Sequence, residues 1–194
     1  MKKVILMLAV IFVSVTYAQE KKSTIDADNS SVNWKGFKPT GEHFGTINIS
    51  EGAINIEDNK LIGGSFVFDM NTIVDTDMPA ENEYNAKLVG HLKSVDFFDV
   101  AKYPTSKFEI TLVKEVGEKL NVRGNLTIKD VTKNITFTAS LSTADGVSTL
   151  TSEVLTINRA DYNVKYGSKS FFNDLKDKLI NDEFEISFVV STKK

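Results

Sequence analysis

The sequence predicts an all-β fold, an antiparallel barrel or sandwich of about eight strands with one short helical insertion. Three observations predict it. Apolar and polar residues alternate through most of the chain, the period of strands with one buried face, and Phe184, Ile186, Phe188 and Val190 are the cleanest case. Turn signals such as Asp58-Asn59-Lys60, Gly117-Glu118 and Asp145-Gly146 separate the runs, which suits hairpins between neighbours rather than crossovers. A helical period dominates once, within Asn85–Phe108 and the residues just before it.

The first residues are set apart from the fold. Lys2 and Lys3 precede an apolar run, Val4–Val15, and Thr16-Tyr17-Ala18 offers a small-residue cleavage site before Gln19. That order is the pattern of a signal peptide over 1–18, and the apolar run is short for a bilayer span. The expectation is an exported chain, periplasmic or secreted, cleaved after Ala18, with 19–194 forming a single domain. About 176 residues then remain, enough for one core. They carry 21 basic against 26 acidic residues, a balance that argues against nucleic acid and against an anionic membrane surface. Cysteine is absent, which excludes disulfides and a lipid-modified cysteine anchor.

Thr24–Phe37 reads as the first strand, with Val32 and Trp34 on one face. Gly45–Ser50 alternates through Ile47 and Ile49, Glu51-Gly52 reads as a turn, and Ile54 and Ile56 begin another strand. Leu61–Ile73 places Phe66, Phe68 and Met70 together, and Gly63-Gly64 suggests a bulge of the kind that curves a closing sheet. In the helical stretch Tyr84, Leu88, His91, Leu92 and Val95 share one face about three turns long. Asp77, Glu81 and Glu83 put acids at its positive end, Pro79 suits a first turn, and Gly90 is a weak point where the helix can break. The adjacent Phe97 and Phe98 then form a plug or lid, and Tyr103-Pro104 returns the chain to extended structure. Strands resume around Phe108–Leu112, Leu120–Ile128 and Ile135–Leu141, with a bend at Lys129-Asp130, and Val147–Ile157 reads as one strand. Asn158–Asp182 is irregular, with a helical turn expected near Phe171–Lys178. The apolar faces point inward, because an outer-membrane barrel would place Lys107, Glu109, Lys119 and Asn121 in lipid at a cost of kilocalories each.

The inward set includes Trp34, Phe66, Phe68, Phe108, Phe137, Ile157 and Phe188. These side chains either fill a solid core or line a cavity, since eight strands enclose just enough room for one apolar ligand. Residues suited to catalysis are sparse. The two histidines, His43 and His91, lack metal-ligand spacing, so no metal site is expected, and no nucleophile stands in a motif with a partner base. His91 reads as a core or cavity-rim histidine donating to a carbonyl, and the pair Asp75/Asp77 as loop acids that meet solvent.

Several motifs together resemble those of the YceI-like family of polyisoprenoid-binding periplasmic proteins. They are His91-Leu92-Lys93-Ser94 with Asp96-Phe97-Phe98-Asp99-Val100, then Lys102-Tyr103-Pro104, Gly124-Asn125-Leu126-Thr127-Ile128-Lys129, Val131-Thr132-Lys133 and Arg159-Ala160-Asp161-Tyr162. Gly41-Glu42-His43-Phe44-Gly45, Tyr166-Gly167-Ser168 and Asp182-Glu183-Phe184 resemble a subgroup of it. Two positions depart from the family's pattern: Asp130, where glycine is common, and Tyr162-Asn163, where an aromatic-glycine pair is frequent. The resemblance covers Ser23 to Lys194 and implies an extended, lipocalin-like eight-stranded antiparallel barrel with an elongated apolar cavity. It implies a non-enzymatic carrier for an isoprenoid lipid or quinone, with no cofactor beyond that ligand, no stable membrane insertion, and a homodimer left open. Trp34, Phe66, Phe68, Phe97, Phe98, Phe108 and Phe137 are the expected lining, with His91 and Arg159 as polar contacts for a headgroup. Two alternatives stand beside this reading: an enzyme using His91 as general base on an apolar substrate, and a solid-cored interaction module.

Overall fold

The computed structural model describes residues 21–194, so the leader expected over 1–18 lies outside the described residues. Strands β1 (Lys21–Lys38), β2 (Gly41–Glu57) and β3 (Lys60–Asp75) lead to helix α1 (Glu83–Lys93). Then come β4 (Thr105–Val116), β5 (Lys119–Ile128), β6 (Val131–Ala144), β7 (Val147–Ser152), β8 (Leu155–Asn158) and β9 (Glu183–Thr192). All pairings are antiparallel between neighbours, and β1 pairs with β9, for example Val32 with Phe188 and Trp34 with Ile186, so the sheet closes on itself. Strands β7 and β8 pair with successive stretches of β9 and occupy one place in the ring. The fold is therefore a closed eight-stranded antiparallel barrel with one short helix, as expected.

Two strand readings change. The Glu51-Gly52 pair lies inside β2, where Gly52 faces Phe66 across the ladder rather than turning the chain. A Cβ at Gly52 would stand 2.9 Å from Ile25 Cγ1 and 3.1 Å from Phe66 Cδ1, so the glycine serves packing. Conversely, Val147–Ile157 is interrupted at Glu153-Val154. The turns follow the expected chemistry. Asp58 and Asn59, Lys129 and Asp130, and Asp145 and Gly146 all have positive φ, the geometry of a two-residue hairpin turn that matches strand twist. Both departures from the family's glycine pattern, Asp130 and Asn163, adopt the left-handed conformation with φ of 60° and 59°, which Asp and Asn tolerate better than other residues.

The two ends of the barrel differ. At one end lie the β2–β3, β4–β5 and β6–β7 turns, and the interior there is solid: Ile54, Val122 and Leu150 are fully buried beside Ile25, Ile56, Leu61 and Ile110. At the other end the ladder is interrupted twice. Strand β3 pairs with β4 only from Gly64 to Asp69, extended by Met70 N–H donating to Pro104 O at 2.9 Å, and α1 with the 94–104 segment covers the rest of β3. Strand β6 pairs with β7 only from Ala139 onward, and the described residues show no ladder between its first half and β8.

Between the two halves four phenylalanines form a ring. Phe66 stacks on Phe108 (6.4 Å between centroids, 5° between planes), Phe108 meets Phe137 at 5.5 Å, Phe137 meets Phe188 edge-on at 5.5 Å, and Phe188 returns to Phe66 at 6.5 Å. Such pairs add about 0.5–1.5 kcal/mol each beyond burial. The ring of Phe108 lies against bare backbone at Gly124, where a Cβ would come within 2.3 Å of its Cζ and 2.4 Å of Glu109 O. We expect Gly124→Ala to destabilise the protein by about 1–3 kcal/mol through overpacking. Gly90→Ala, on an exposed helical face with nothing within 4 Å, should stabilise it by about 0.4–1 kcal/mol. Urea denaturation of the two variants checks both signs.

Candidate functional site

Above the phenylalanine ring the barrel is hollow, with a cavity of about 480 Å³. Its size and apolar lining are those of a small-molecule site. All nine residues singled out in the sequence line it. Trp34, Phe66, Phe68, Phe108 and Phe137 come from the strands, His91 from α1, Phe97 and Phe98 from the segment after it, and Arg159 from the 3-10 turn Arg159–Tyr162. Strand parity put the first five there, because residues two apart share a face. Several inward residues, Trp34, Phe68, Phe98, Ile186 and Phe188, are only half-buried, in contrast with the fully buried side chains of the solid end. A core that is inward-facing and incompletely covered is one with a void in it.

The helix closes one side. Asn82 caps its N-terminus, accepting the Tyr84 N–H through Oδ1 at 2.9 Å, so the helix begins later than Pro79 and runs through Gly90 without a break. Of the five residues expected on its apolar face, Leu88, His91 and Leu92 meet the cavity, whereas Tyr84 and Val95 are exposed at 64% and 73%. The face is shorter than its periodicity because Asn85 takes the anchoring position, donating through Nδ2 to Asp75 O (3.2 Å) and Met78 O (2.9 Å). Phe97 and Phe98 pack edge-to-face at 5.3 Å as the plug. His91 stands at the rim, its ring edge-on to Tyr166 at 4.4 Å and to Phe97 at 5.8 Å. Its Nε2 lies 4.0 Å from the Asp96 carboxylate, and among the described residues its ring makes no hydrogen bond to a carbonyl.

The long 163–182 segment forms the opposite side. Here Tyr166 and residues 177–181 line the cavity, while Phe171 and Phe172 are exposed outside it. The helical turn falls at Lys176–Lys178. Arg159, which is 3% exposed, holds this segment down. Its Nε donates to Asn181 O at 2.9 Å, one terminal nitrogen to Val164 O at 2.8 Å and the other to Ile180 O at 2.9 Å, and its plane lies 5.2 Å from the Phe97 ring. Lys129 adds a second tie, donating to Phe97 O at 2.8 Å and to Asn163 O at 3.4 Å. Asp182 completes the clamp 3.6 Å from Arg159. Burial pushes its carboxyl up, but hydrogen bonds from Ser168 and Ser170 and the Arg159 charge outweigh that and hold it below the usual carboxylate range.

A cluster invisible in the sequence lies beside the mouth. His43, near the start of β2, meets Asp75 at the end of β3 and Asp77 just beyond it, with His43 Nδ1 3.1 Å from Asp77 Oδ2. Asp75 is no solvated loop acid: it is buried, and burial together with the neighbouring Asp77 pushes its carboxyl up to about 6. His43 also lines the cavity. His43 lies on β2 more than 30 residues before the acids, and β2 pairs with the end of β3 at Gly45 and Asp75, so their meeting gave no local signal.

Two tests follow from the clamp. Arg159→Lys keeps the charge but loses the planar fork, and should cost about 1.5–3 kcal/mol. Hydrogen exchange should speed up across residues 164–181 and stay unchanged at the hairpin end. Because the Asp182 carboxyl is depressed in the fold, its contribution is present above the unfolded value near 3.9 and is lost as pH falls through the folded value. Thermal melts from pH 6 down to pH 2 should therefore show an acid decline that Asp182→Asn flattens.

The family model of the YceI-like domain matches residues 24–192. A UPF0312 protein of Enterobacter sp. strain 638 is 40% identical over 90 residues, covering 42% of this chain and 46% of that protein. Protein YceI of Salmonella arizonae is 37% identical over the same length, with the same shares of 42% and 46%, so the match spans just under half of these relatives. Among solved structures, BcnA of Burkholderia cenocepacia superposes with a TM-score of 0.64 at 22% identity, over 87% of this chain and 99% of that one. A polyisoprenoid binding domain from Saccharophagus degradans gives 0.64 at 18% identity, over 90% and 99%. At these identities the likeness is one of fold, and it reproduces the closed barrel. With its family model matched along nearly the whole barrel, the chain belongs to the YceI-like domain family.

Proposed function

We propose that this protein binds a long isoprenoid lipid, a quinone or polyprenyl compound, in the hollow half of its barrel and carries it without chemical change. The observation that supports this best is the cavity itself, floored by four phenylalanine rings and lined mostly by apolar side chains. Each five-carbon unit buried there contributes about 4 kcal/mol at roughly 0.8 kcal/mol per CH₂-sized group. About four units then outweigh an association cost of roughly 4–15 kcal/mol with no ion pair. Selection is by length and shape, and a polar headgroup would sit at the mouth among His91, Tyr166 and Lys178, which line the upper cavity. The Saccharophagus neighbour, described as polyisoprenoid-binding, supports the ligand class. The signal-peptide pattern of 1–18 supports a periplasmic or secreted carrier. Among the described residues no helix is long and apolar enough to cross a membrane. Binding is favoured over catalysis because, among the described residues, the His91 ring makes no side-chain hydrogen bond and has one ion-pair neighbour, Asp96 at 4.0 Å. The solid-cored alternative describes the hairpin end alone.

Native mass spectrometry of protein purified from its own host, followed by solvent extraction, tests the proposal. A stoichiometric lipid with a ladder of isoprene-unit masses is the expected result, and an empty protein that also refuses added quinone and polyprenol overturns it. Phe68→Asp faces the void and should fold, and an unpaired carboxylate in the lining should weaken lipid binding about thirtyfold or more, from a cost of at least about 2 kcal/mol. Phe137→Asp should act likewise at the floor, and a fluorescent-lipid titration reads both.

A further inference from the structure

We propose that His43, Asp75 and Asp77 form a divalent-cation site beside the cavity mouth, of the kind that takes zinc. One imidazole nitrogen and two carboxylate oxygens lie within 4.8 Å of one another, and the His43 Nδ1 to Asp77 Oδ2 distance is 3.1 Å. Around a four-coordinate zinc with bonds near 2.1 Å, ligand atoms stand about 3.4 Å apart, so a small closure of the cluster encloses a cation. Asp75 supplies the second observation. It is 6% exposed, its Oδ2 accepts the Met78 N–H at 3.2 Å, and its Oδ1 is buried with no hydrogen-bond partner. A buried carboxylate oxygen facing a second carboxylate, with no donor of its own, lacks a positive partner. A cation between the two acids supplies one.

The surroundings suit ligands rather than a chance meeting of side chains. Asp77 Oδ1 accepts the Phe44 N–H at 3.2 Å, which leaves Oδ2 turned to His43, and Asp75 is oriented by Met78 in the same way. The mixed nitrogen and oxygen set fits zinc, whose three-ligand sites with an open position combine histidine with carboxylate. Three protein ligands leave a fourth position for water. Asp75 and Asp77 lie on either side of the point where β3 gives way to the α1 segment, and His43 lies just after the β1–β2 turn, so the cation would pin the hairpin to the base of the helical lid.

Equilibrium dialysis of the metal-free protein against Zn²⁺, with elemental analysis and thermal melts, decides it. One zinc per chain at micromolar concentration and a raised melting temperature are expected. His43→Ala and Asp77→Asn should each weaken zinc binding at least tenfold and remove the thermal shift. Asp96→Asn, which alters the other histidine-carboxylate neighbourhood, should leave both unchanged. His43 is only half-buried, so its variant should fold even where an Asp75 variant does not. Substoichiometric zinc, binding unaltered by His43→Ala and Asp77→Asn, or binding lost in Asp96→Asn instead would each overturn the site.

Discussion

The closed ring formed by Phe66, Phe108, Phe137 and Phe188 divides an interior that eight strands would otherwise leave open from end to end. An eight-stranded barrel is just wide enough for side chains to fill or for one ligand to enter. Which of the two happens depends on side-chain shape at each level. Below the ring, branched aliphatics such as Ile54, Val122 and Leu150 interdigitate to full burial. At the ring, flat aromatics meet in stacked, tilted and edge-on pairs and stop the packing from continuing upward. Glycine on the neighbouring strands makes this arrangement sterically feasible: Gly124 gives Phe108 bare backbone to lie against, and Gly52 leaves room beside Phe66.

The upper half is hollow because its wall is not made by the sheet alone. The ladder is broken between β3 and β4, where α1 packs on β3, and between β6 and β8, where the Arg159–Tyr162 turn packs on β6. Those segments need internal ties, since irregular backbone carries polar groups that no ladder satisfies. Arg159 meets this need for the 163–182 segment by saturating three carbonyls with one planar group, and Lys129 joins the plug at Phe97 to Asn163. The resemblance assigns Arg159 to a headgroup. Its geometry gives it a positioning task, with every nitrogen engaged by the chain itself.

Much of this was legible from the amino-acid order, and the reason is periodicity. Strand parity alone places Trp34, Phe66, Phe68, Phe108 and Phe137 on the inner face, and the helical repeat places His91 beside them. Parity cannot tell a filled interior from a hollow one, because both demand the same alternation. Local signals misled where a residue serves a distant neighbour. Gly52 resembles a turn but makes room for Phe66, and Tyr84 fits the helical face but gives way to the buried Asn85. Asp130 and Asn163 depart from the family's glycines yet keep the backbone conformation those glycines allow. That His43 meets the Asp75/Asp77 pair was hidden, since it depends on β2 pairing with the end of β3.

A half-empty barrel has a thermodynamic consequence for the proposed carrier. The inner faces of Trp34, Phe68 and Phe188 keep part of the apolar exposure that a solid core would remove, so the unliganded protein forgoes stabilisation of roughly 25 cal/mol for each Å² left uncovered. In the proposed carrier an isoprenoid chain entering the cavity would cover that area and act as the missing part of the core. Binding and folding stability are then one quantity seen twice, because anything that binds the folded state alone stabilises it by mass action. The solid half makes this arrangement viable. It packs independently of the cavity, and the β1–β9 ladder that closes the barrel runs through both halves, so in the proposed carrier the barrel would stay closed on release of the lipid.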